Sequence, residues 1–350
     1  MDPAKTEQPE PTVCHVVAMP YPGRSHINAM MNLCKLMASK TADILIGFVV
    51  TEEWLGFISS EPKPPAKIRF ATVPNCIPSE VSRGKDFPGF MNAVNTKMEV
   101  HFEELLDRLQ QPVKAIVADT HLVDYIPVYP IGPAIPYLEL EEKNASIANS
   151  INGVNYLQWL DSQPPCSVLY ISMGSFLSVS NAQMDEIIGV IRDSGVRSLW
   201  VSRGETGWSN DCSGDMSLVV PWCNQLKVLC HSSIGGFWTH CGWNSTLEAV
   251  FAGVPMLTYP IFWDQVPISK HIVEDWKIGW KVKKDVGVLT RREISELVKR
   301  FVDKKSDEMN AMRQRAKELQ KSSRRAIAKG GSSDANLDAF IRNISEDHGH

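Results

Sequence analysis

Residues 222–265 read WCNQLKVLCHSSIGGFWTHCGWNSTLEAVFAGVPMLTYPIFWDQ, and the way apolar runs alternate with a glycine-bearing turn in this stretch decides the fold class. Ile234 to Trp238 is an apolar run of strand length. Thr239, His240, Cys241 and Gly242 then lead into an amphipathic segment that stops at Gly253, and Val254 to Tyr259 reads as the next strand. Strand, turn, helix, strand is the repeating unit of an α/β protein. A turn of this kind aims backbone N–H groups and the positive end of a helix at one spot, which is how α/β proteins hold phosphate. The stretch therefore offers an anion site.

Ser245 and Glu248 have the spacing of a capping box, with Gly253 as a helix stop and Pro255 just beyond. Spacing leaves capping and ligand binding equally open for Asn244, Ser245 and Glu248. Their company tips the balance: Trp222 and Gln225 precede the turn, and Asp264 and Gln265 stand at the carboxyl end of the next strand. An aromatic face, an anion cradle, and a carboxylate and amide able to bind hydroxyls together suit a nucleotide that carries a sugar.

From WCNQ through HCGWNS and the following Glu248 to the closing Asp264–Gln265, the segment resembles the signature box of the plant family 1 UDP-glycosyltransferases almost position for position, and in length. The resemblance implies an α/β chain of GT-B type with two Rossmann-like domains. It also implies inverting transfer of a sugar from a UDP-sugar, with neither a catalytic metal nor any other cofactor. The partners it implies are a UDP-sugar and a small hydroxylated acceptor.

Carried over to this sequence, the resemblance puts Trp222 on the uracil ring, and Gln225 with the Cys223 backbone at base and ribose. His240, Asn244 and Ser245 meet the diphosphate, Glu248 the ribose hydroxyls, and Trp243, Asp264 and Gln265 the sugar. Asn224, Cys241, Gly242, Thr246 and Leu247 complete the implied UDP-sugar-binding set. The closing Gln and the Trp at 243 go in this family more often with neutral hexoses, glucose above all.

At 350 residues the chain exceeds the size at which a single core usually stops growing, so two domains are expected. Hydrophobic residues at 43% and charged residues at 22% describe an ordinary globular composition. The formal charge of −4 supplies no pull toward nucleic acid or an anionic membrane surface. The eight cysteines occur singly, with no C-x-x-C pair, which favours reduced thiols over a disulfide frame or zinc knuckle. No basic start leads into a long apolar run and no membrane-length apolar segment occurs, so a soluble, cytoplasmic protein is expected.

In chain order, residues 1–12 are polar and Pro-rich and read as a disordered tail. Val13 to Met19 is a strand followed by a turn at Pro20, Pro22 and Gly23. From Ser25, available as a cap, Ile27, Met30, Met31, Cys34 and Met37 fall at helical spacing and put His26 in the first helical turn. The positive end of a helix favours the neutral imidazole that a general base must be. Strands follow at 44–50, 68–73 and 113–118, the last expected to be buried and ending at Asp119, with helices over 52–60 and 87–109 between them. Ligands of open α/β sheets gather at strand carboxyl ends, so Asp119 and the turn before His26 share the functional edge. The residues Pro22-Gly23-Arg24-Ser25-His26 resemble the family's entry to its base, with Asn28 where the family usually has Pro. Val113 to Asp119 resembles the context of its orienting carboxylate. The resemblance thus makes His26 the catalytic base and Asp119 its partner.

One departure is large. The run VYPIGP, 128–133, resembles the family's entry to the interdomain linker, yet only residues 120–131 separate Asp119 from Gly132, where the family has a far longer stretch. About two strands and their helices are missing from the first domain, a part that normally completes the acceptor pocket and adds a sugar contact. An unprotected sheet edge and exposed apolar surface are expected there. The expected domains are 13–130, a truncated acceptor-side Rossmann-like domain; 131–152, a linker; 153–328, a UDP-sugar-binding domain; and 329–350, a return helix and tail.

In the second domain the reading gives a short helix over 154–161, a strand over 167–172, a helix over 181–193 and strands over 197–202 and 218–220. A polar loop spans 204–214. A helix follows from Asp264 to about Asp275, a strand over 279–282, a Thr290-capped helix to Val302, and a long amphipathic helix over 303–328. Ser175, in the turn after YISMGS begins, resembles the family's diphosphate-reaching serine. The rival to a glucosyltransferase is a nucleotide-sugar-binding protein whose shortened first domain seats no acceptor. A nicotinamide oxidoreductase fails for want of a G-x-G-x-x-G after any strand.

Overall fold

The computed structural model describes residues 13–119, 129–140, 150–151, 154–174, 181–202, 216–282 and 290–346. The expectations for residues 1–12, Ser175, the loop 204–214 and the last four residues lie outside these. The chain divides into two compact units, one formed by residues 1–134 with 327–350 and the other by 135–326.

The first unit runs β1 (Cys14–Met19), α1 (Arg24–Lys40), β2 (Ile44–Thr51), α2 (Glu52–Ile58), β3 (Ile68–Val73), a 3-10 turn (Glu80–Lys85), α3 (Phe87–Asp107) and β4 (Ala115–Ala118). Its sheet is parallel in the order β3-β2-β1-β4. Val16, Ala18, Ile46 and Phe48 are fully buried in the two central strands. At about 1.5–3 kcal/mol per large apolar side chain, they anchor the unit. The last helix of the chain, Ser332–Ser345, belongs here too: Lys40 Nζ lies 2.5 Å from Asp334 Oδ1 and 2.7 Å from Asp338 Oδ1.

Two expectations for this unit are corrected. Ser25 does not cap α1; Gly23 is the N-cap, and its carbonyl accepts the N–H groups of both His26 and Ile27. The strand ending at Asp119 is not buried: β4 forms the edge of its sheet and Ile116 is 50% exposed. The exposed edge is the feature expected from the short connection that follows it.

The second unit opens with a two-residue ladder, β5 (Ser150–Ile151) with β6 (Val154–Asn155), so the helix expected from 154 starts at Tyr156 as α4 (Tyr156–Asp161). There follow β7 (Val168–Ser172), α5 (Asn181–Ser194), β8 (Arg197–Val201), β9 (Ser217–Val220), α6 (Gln225–Leu229), β10 (Ile234–Thr239), α7 (Trp243–Ala252) and β11 (Met256–Thr258). α8 (Gln265–Lys270) widens into a π-helical turn, His271–Asp275, before β12 (Gly279–Lys281), α9 (Arg291–Val302) and α10 (Asp307–Ile327). The final helix, Ser332–Ser345, is α11. The six strands are parallel in the order β12-β11-β10-β7-β8-β9.

Both faces of this sheet are buried, as parallel sheets require. Leu169, Ile171, Trp238 and Leu257 pack on one face. The alternate positions Val168, Tyr170, Phe237 and Met256 pack on the other, with Cys223, Val228, Cys241 and Ala249. The period of two in β7 and β10 thereby fixes which side chains reach the helices that follow the signature stretch. Thr290 and Glu293 form the full capping box of α9, worth about 1 kcal/mol.

Candidate active site

In the first unit, β1 and β4 pair with Met19 opposite Ala118, so the residues following both strands emerge together. Asp119 follows β4 directly, and its Oδ2 accepts the Tyr21 backbone N–H at 2.8 Å. His26, the third residue of α1, brings Nδ1 to 3.4 Å from the same oxygen. The two residues singled out from sequence are therefore brought together. A carboxylate at Nδ1 favours the tautomer whose proton sits there, which leaves the lone pair on Nε2.

Around this pair are groups that sequence reasoning missed. The Tyr21 ring lies 5.1 Å from the His26 ring. Behind it Glu80 and Arg83 form a buried pair at 3.1 Å, and burial pushes the Glu80 carboxyl up to about 7. Nothing in the spacing of a 3-10 turn marks these residues; only their burial does.

In the second unit the signature residues gather at the carboxyl end of the sheet. α7 begins at Trp243 with Gly242 as N-cap, and its first intrahelical bond runs from Thr246 N to the Gly242 carbonyl. The capping box that the spacing of Ser245 and Glu248 left open does not form, because the helix starts three residues earlier than that box requires. Both side chains turn instead to Gln225, whose Nε2 donates to Glu248 Oε2 at 2.9 Å and to Ser245 Oγ at 3.0 Å. Gly253 does end the helix, in the left-handed conformation at φ 71°.

The remaining candidates divide by what holds them. Trp222 and Trp243 are exposed, at 46% and 45%, as ring-stacking surfaces must be. Asn224 caps α6 by accepting the Lys227 N–H, and its own N–H donates to the Tyr156 hydroxyl. Cys223 is buried against Tyr170, and burial pushes the buried Cys241 thiol up to about 12, so neither reads as a reactive thiol. Thr246 is buried and donates to the Gly242 carbonyl, and Leu247 is half-buried. Asn244 stands in the first turn of α7. Asp264 is exposed at the start of α8, and Gln265 Oε1 accepts the N–H groups of Ile261 and Phe262.

His240 follows β10 and is flanked by two glycines. A Cβ on Gly174 would stand 2.6 Å from its Nε2, and one on Gly242 2.5 Å. Burial lowers its pKa to about 4, so the ring is neutral at physiological pH and offers an N–H rather than a charge. Glu248 is displaced the other way: burial raises it to about 7, against the pull of the Gln225 hydrogen bond and with a further push from Glu139. An uncharged imidazole, a positive helix end and a carboxyl group that accepts from Gln225 thus belong to the same unit.

Comparison with known proteins gives the family. The family described as UDP-glucoronosyl and UDP-glucosyl transferase matches residues 147–319. UDP-glycosyltransferase 87A2 of Arabidopsis thaliana is 42% identical to this chain over 460 aligned positions, covering 99% of each. The chain belongs to the UDP-glycosyltransferase family. A second relative of this glycosyltransferase, UDP-glycosyltransferase 87A1 of the same plant, is 41% identical over 94% of this chain and 100% of its own. The first alignment exceeds this chain by at least 110 positions (460 − 350), in keeping with the short connection after Asp119.

Solved structures show that the glycosyltransferase has the GT-B fold. Os79 of O. sativa in complex with UDP superposes with a TM-score of 0.78 at 23% identity, covering 94% of this chain and 100% of that one. Medicago truncatula UGT71G1 complexed with UDP-glucose gives 0.70 at 20%, covering 95% and 98%. Among the described residues no helix is long and apolar enough to cross a membrane.

Proposed function

We propose that this UDP-glycosyltransferase moves glucose from UDP-glucose to a hydroxyl of a small lipophilic acceptor, with inversion at the anomeric carbon. The observation that carries the reading is the His26–Asp119 pair at 3.4 Å, found in the same chain as the Gln225–Ser245–Glu248 cluster beside the start of α7. His26 Nε2 removes the acceptor proton as the oxygen attacks, and Asp119 stabilises the imidazolium that forms. The departing diphosphate is met by the N–H groups at the start of α7 and by neutral His240. Glu248 accepts from the ribose hydroxyls, Trp222 stacks on uracil, and Trp243, Asp264 and Gln265 face the hexose. A single displacement inverts the carbon. Nothing in this scheme requires a metal or other cofactor.

The donor is supported by the closing Gln265 and by UGT71G1, whose structure holds UDP-glucose. The acceptor class is supported by solved complexes of other members: Os79 with a trichothecene and Phytolacca americana UGT2 with pterostilbene.

The test is UDP release from UDP-glucose with a panel of phenols and terpenoid alcohols, with product stereochemistry read from the anomeric proton coupling. The wild type releases UDP and forms the β-glucoside, and His26→Ala slows release by about 10²–10⁴. Release with UDP-galactose in preference to UDP-glucose would overturn the sugar assignment. UDP binding without release in either protein would leave a nucleotide-sugar-binding protein.

A further inference from the structure

Tyr170 is central in the sheet of the second unit, 1% exposed on β7, with its ring stacked on Phe237 at 5.0 Å. Its hydroxyl is nonetheless used. It donates to Gln225 Oε1 at 3.2 Å and lies 3.5 Å from Cys223 Sγ. Gln225 passes the connection on, because its Nε2 serves both Glu248 and Ser245. The polarity of this chain is set by chemistry: with Glu248 ionised, a reversed amide would press Oε1 against a carboxylate oxygen. Burial raises the phenol well above its ordinary range, so it stays a donor at any physiological pH.

We propose that Tyr170 is a positioning residue for donor binding, holding the Gln225 amide in the one orientation that presents Nε2 toward the nucleotide site. This rests on the function proposed above and deepens its account of the donor site. In the ligand-free chain Gln225 is gripped at both ends, by Tyr170 at Oε1 and by Glu248 at Nε2. Ribose hydroxyls compete for the Glu248 carboxylate, which then loosens its hold on Nε2. The Tyr170 hydroxyl lies on the far side of the amide and is not consumed by ribose. It is the grip that persists in the complex, and it keeps Nε2 free to serve Ser245 and the nucleotide. Glu248 and Gln225 carry sequence signals; Tyr170 lies inside a strand whose apolar pattern reads as core.

The experiment is UDP titration by calorimetry on the full chain. Tyr170→Phe keeps the ring and its stack and removes only O–H. UDP affinity falls about tenfold, the equivalent of one well-placed hydrogen bond. The KM for UDP-glucose rises by the same factor, with kcat within about twofold. In a Gln225→Ala background the Tyr170→Phe change costs nothing further, because its route to the nucleotide is gone. Equal losses in the two backgrounds would mean a general packing role and overturn the proposal. So would unchanged affinity in Tyr170→Phe while the wild type binds UDP. Failure of the wild type itself to bind UDP would sink the donor-site reading as well.

Discussion

His26 Nδ1 and the Tyr21 backbone N–H converge on one oxygen, Oδ2 of Asp119, at 3.4 and 2.8 Å. The backbone bond ties the carboxylate to the loop that leads into α1 and His26, so the two cannot drift apart independently. Asp119→Asn retains a side-chain oxygen for the Tyr21 N–H but removes the charge that stabilises imidazolium. A hydrogen bond to a charged group is worth about 1.5–3 kcal/mol, so kcat falls by about 10- to 100-fold. Asp119 has no assigned contact with the donor, and KM for the UDP-sugar stays put. Steady-state kinetics on both substrates check this, and an unchanged kcat would remove Asp119 from the reaction.

The ribose contact proposed for Glu248 makes donor binding depend on pH. The unfolded chain gives up this proton near 4.5, whereas the folded chain keeps it up to about 7. Between those values the folded state binds more protons. The Glu248 contribution to stability is therefore fully present below 4.5 and lost as pH rises through about 7. UDP affinity runs the opposite way, because ribose hydroxyls donate to the carboxylate and not to its protonated form. Affinity rises with pH up to about 7 and then levels, and binding at pH 6 releases protons. Glu248→Gln abolishes both trends. Calorimetry in buffers of different ionisation enthalpy reads the proton count directly; no release at pH 6 would contradict the assignment.

The sequence made the pairing of His26 with Asp119 legible because each lies just past an apolar run, and strand ends converge in a parallel sheet. It made the helix stop at Gly253 and the cap at Thr290 legible because both are local. By spacing alone it left Ser245 and Glu248 open between a capping box and ligand binding, because the actual start of α7 follows a turn through Cys241, held at φ 66°, that spacing does not report. It missed Tyr170, Glu80 and Arg83 for a common reason. Each acts through a partner distant in sequence, and periodicity reports which face a residue occupies but not what its polar atom meets there. β4 was legible as a strand but not as an edge, since edges are decided by which strands are absent.

Gly242 is a steric requirement. Its φ of −63° and ψ of 141° suit any residue, so the consequence of Gly242→Ala lies in the Cβ that would meet His240 Nε2 at 2.5 Å. The ring must shift or the turn must open, at about 1–3 kcal/mol for overpacking. UDP-sugar KM rises while acceptor KM holds. Gly174→Ala meets the same ring and adds the strain of φ 84°, so it destabilises by about 1 kcal/mol more. Denaturant melts of the two variants and of wild type test the order. If Gly242→Ala matches wild type in both stability and KM, the ring is not held as described.

The edge of the first unit predicts self-association. β4 ends its sheet, Ile116 is 50% exposed, and a cavity of about 510 Å³ beside it is lined by Leu106, Leu109 and Val113 among others. The alignment with the first relative runs 110 positions longer than this chain, and the short run from Asp119 to Gly132 is where the sequence is shortened. An edge strand with an apolar side chain facing water is a template for other chains, and a lysine on it is the device by which natural sheets block pairing. Ile116→Lys therefore reduces concentration-dependent light scattering. As a substitution at a half-exposed position it changes stability by no more than about 0.5 kcal/mol. Val17, 1% exposed in the neighbouring strand, supplies the contrast: Val17→Lys buries a charge and unfolds the unit. Scattering that persists in Ile116→Lys at equal stability would place the sticky surface elsewhere than on β4.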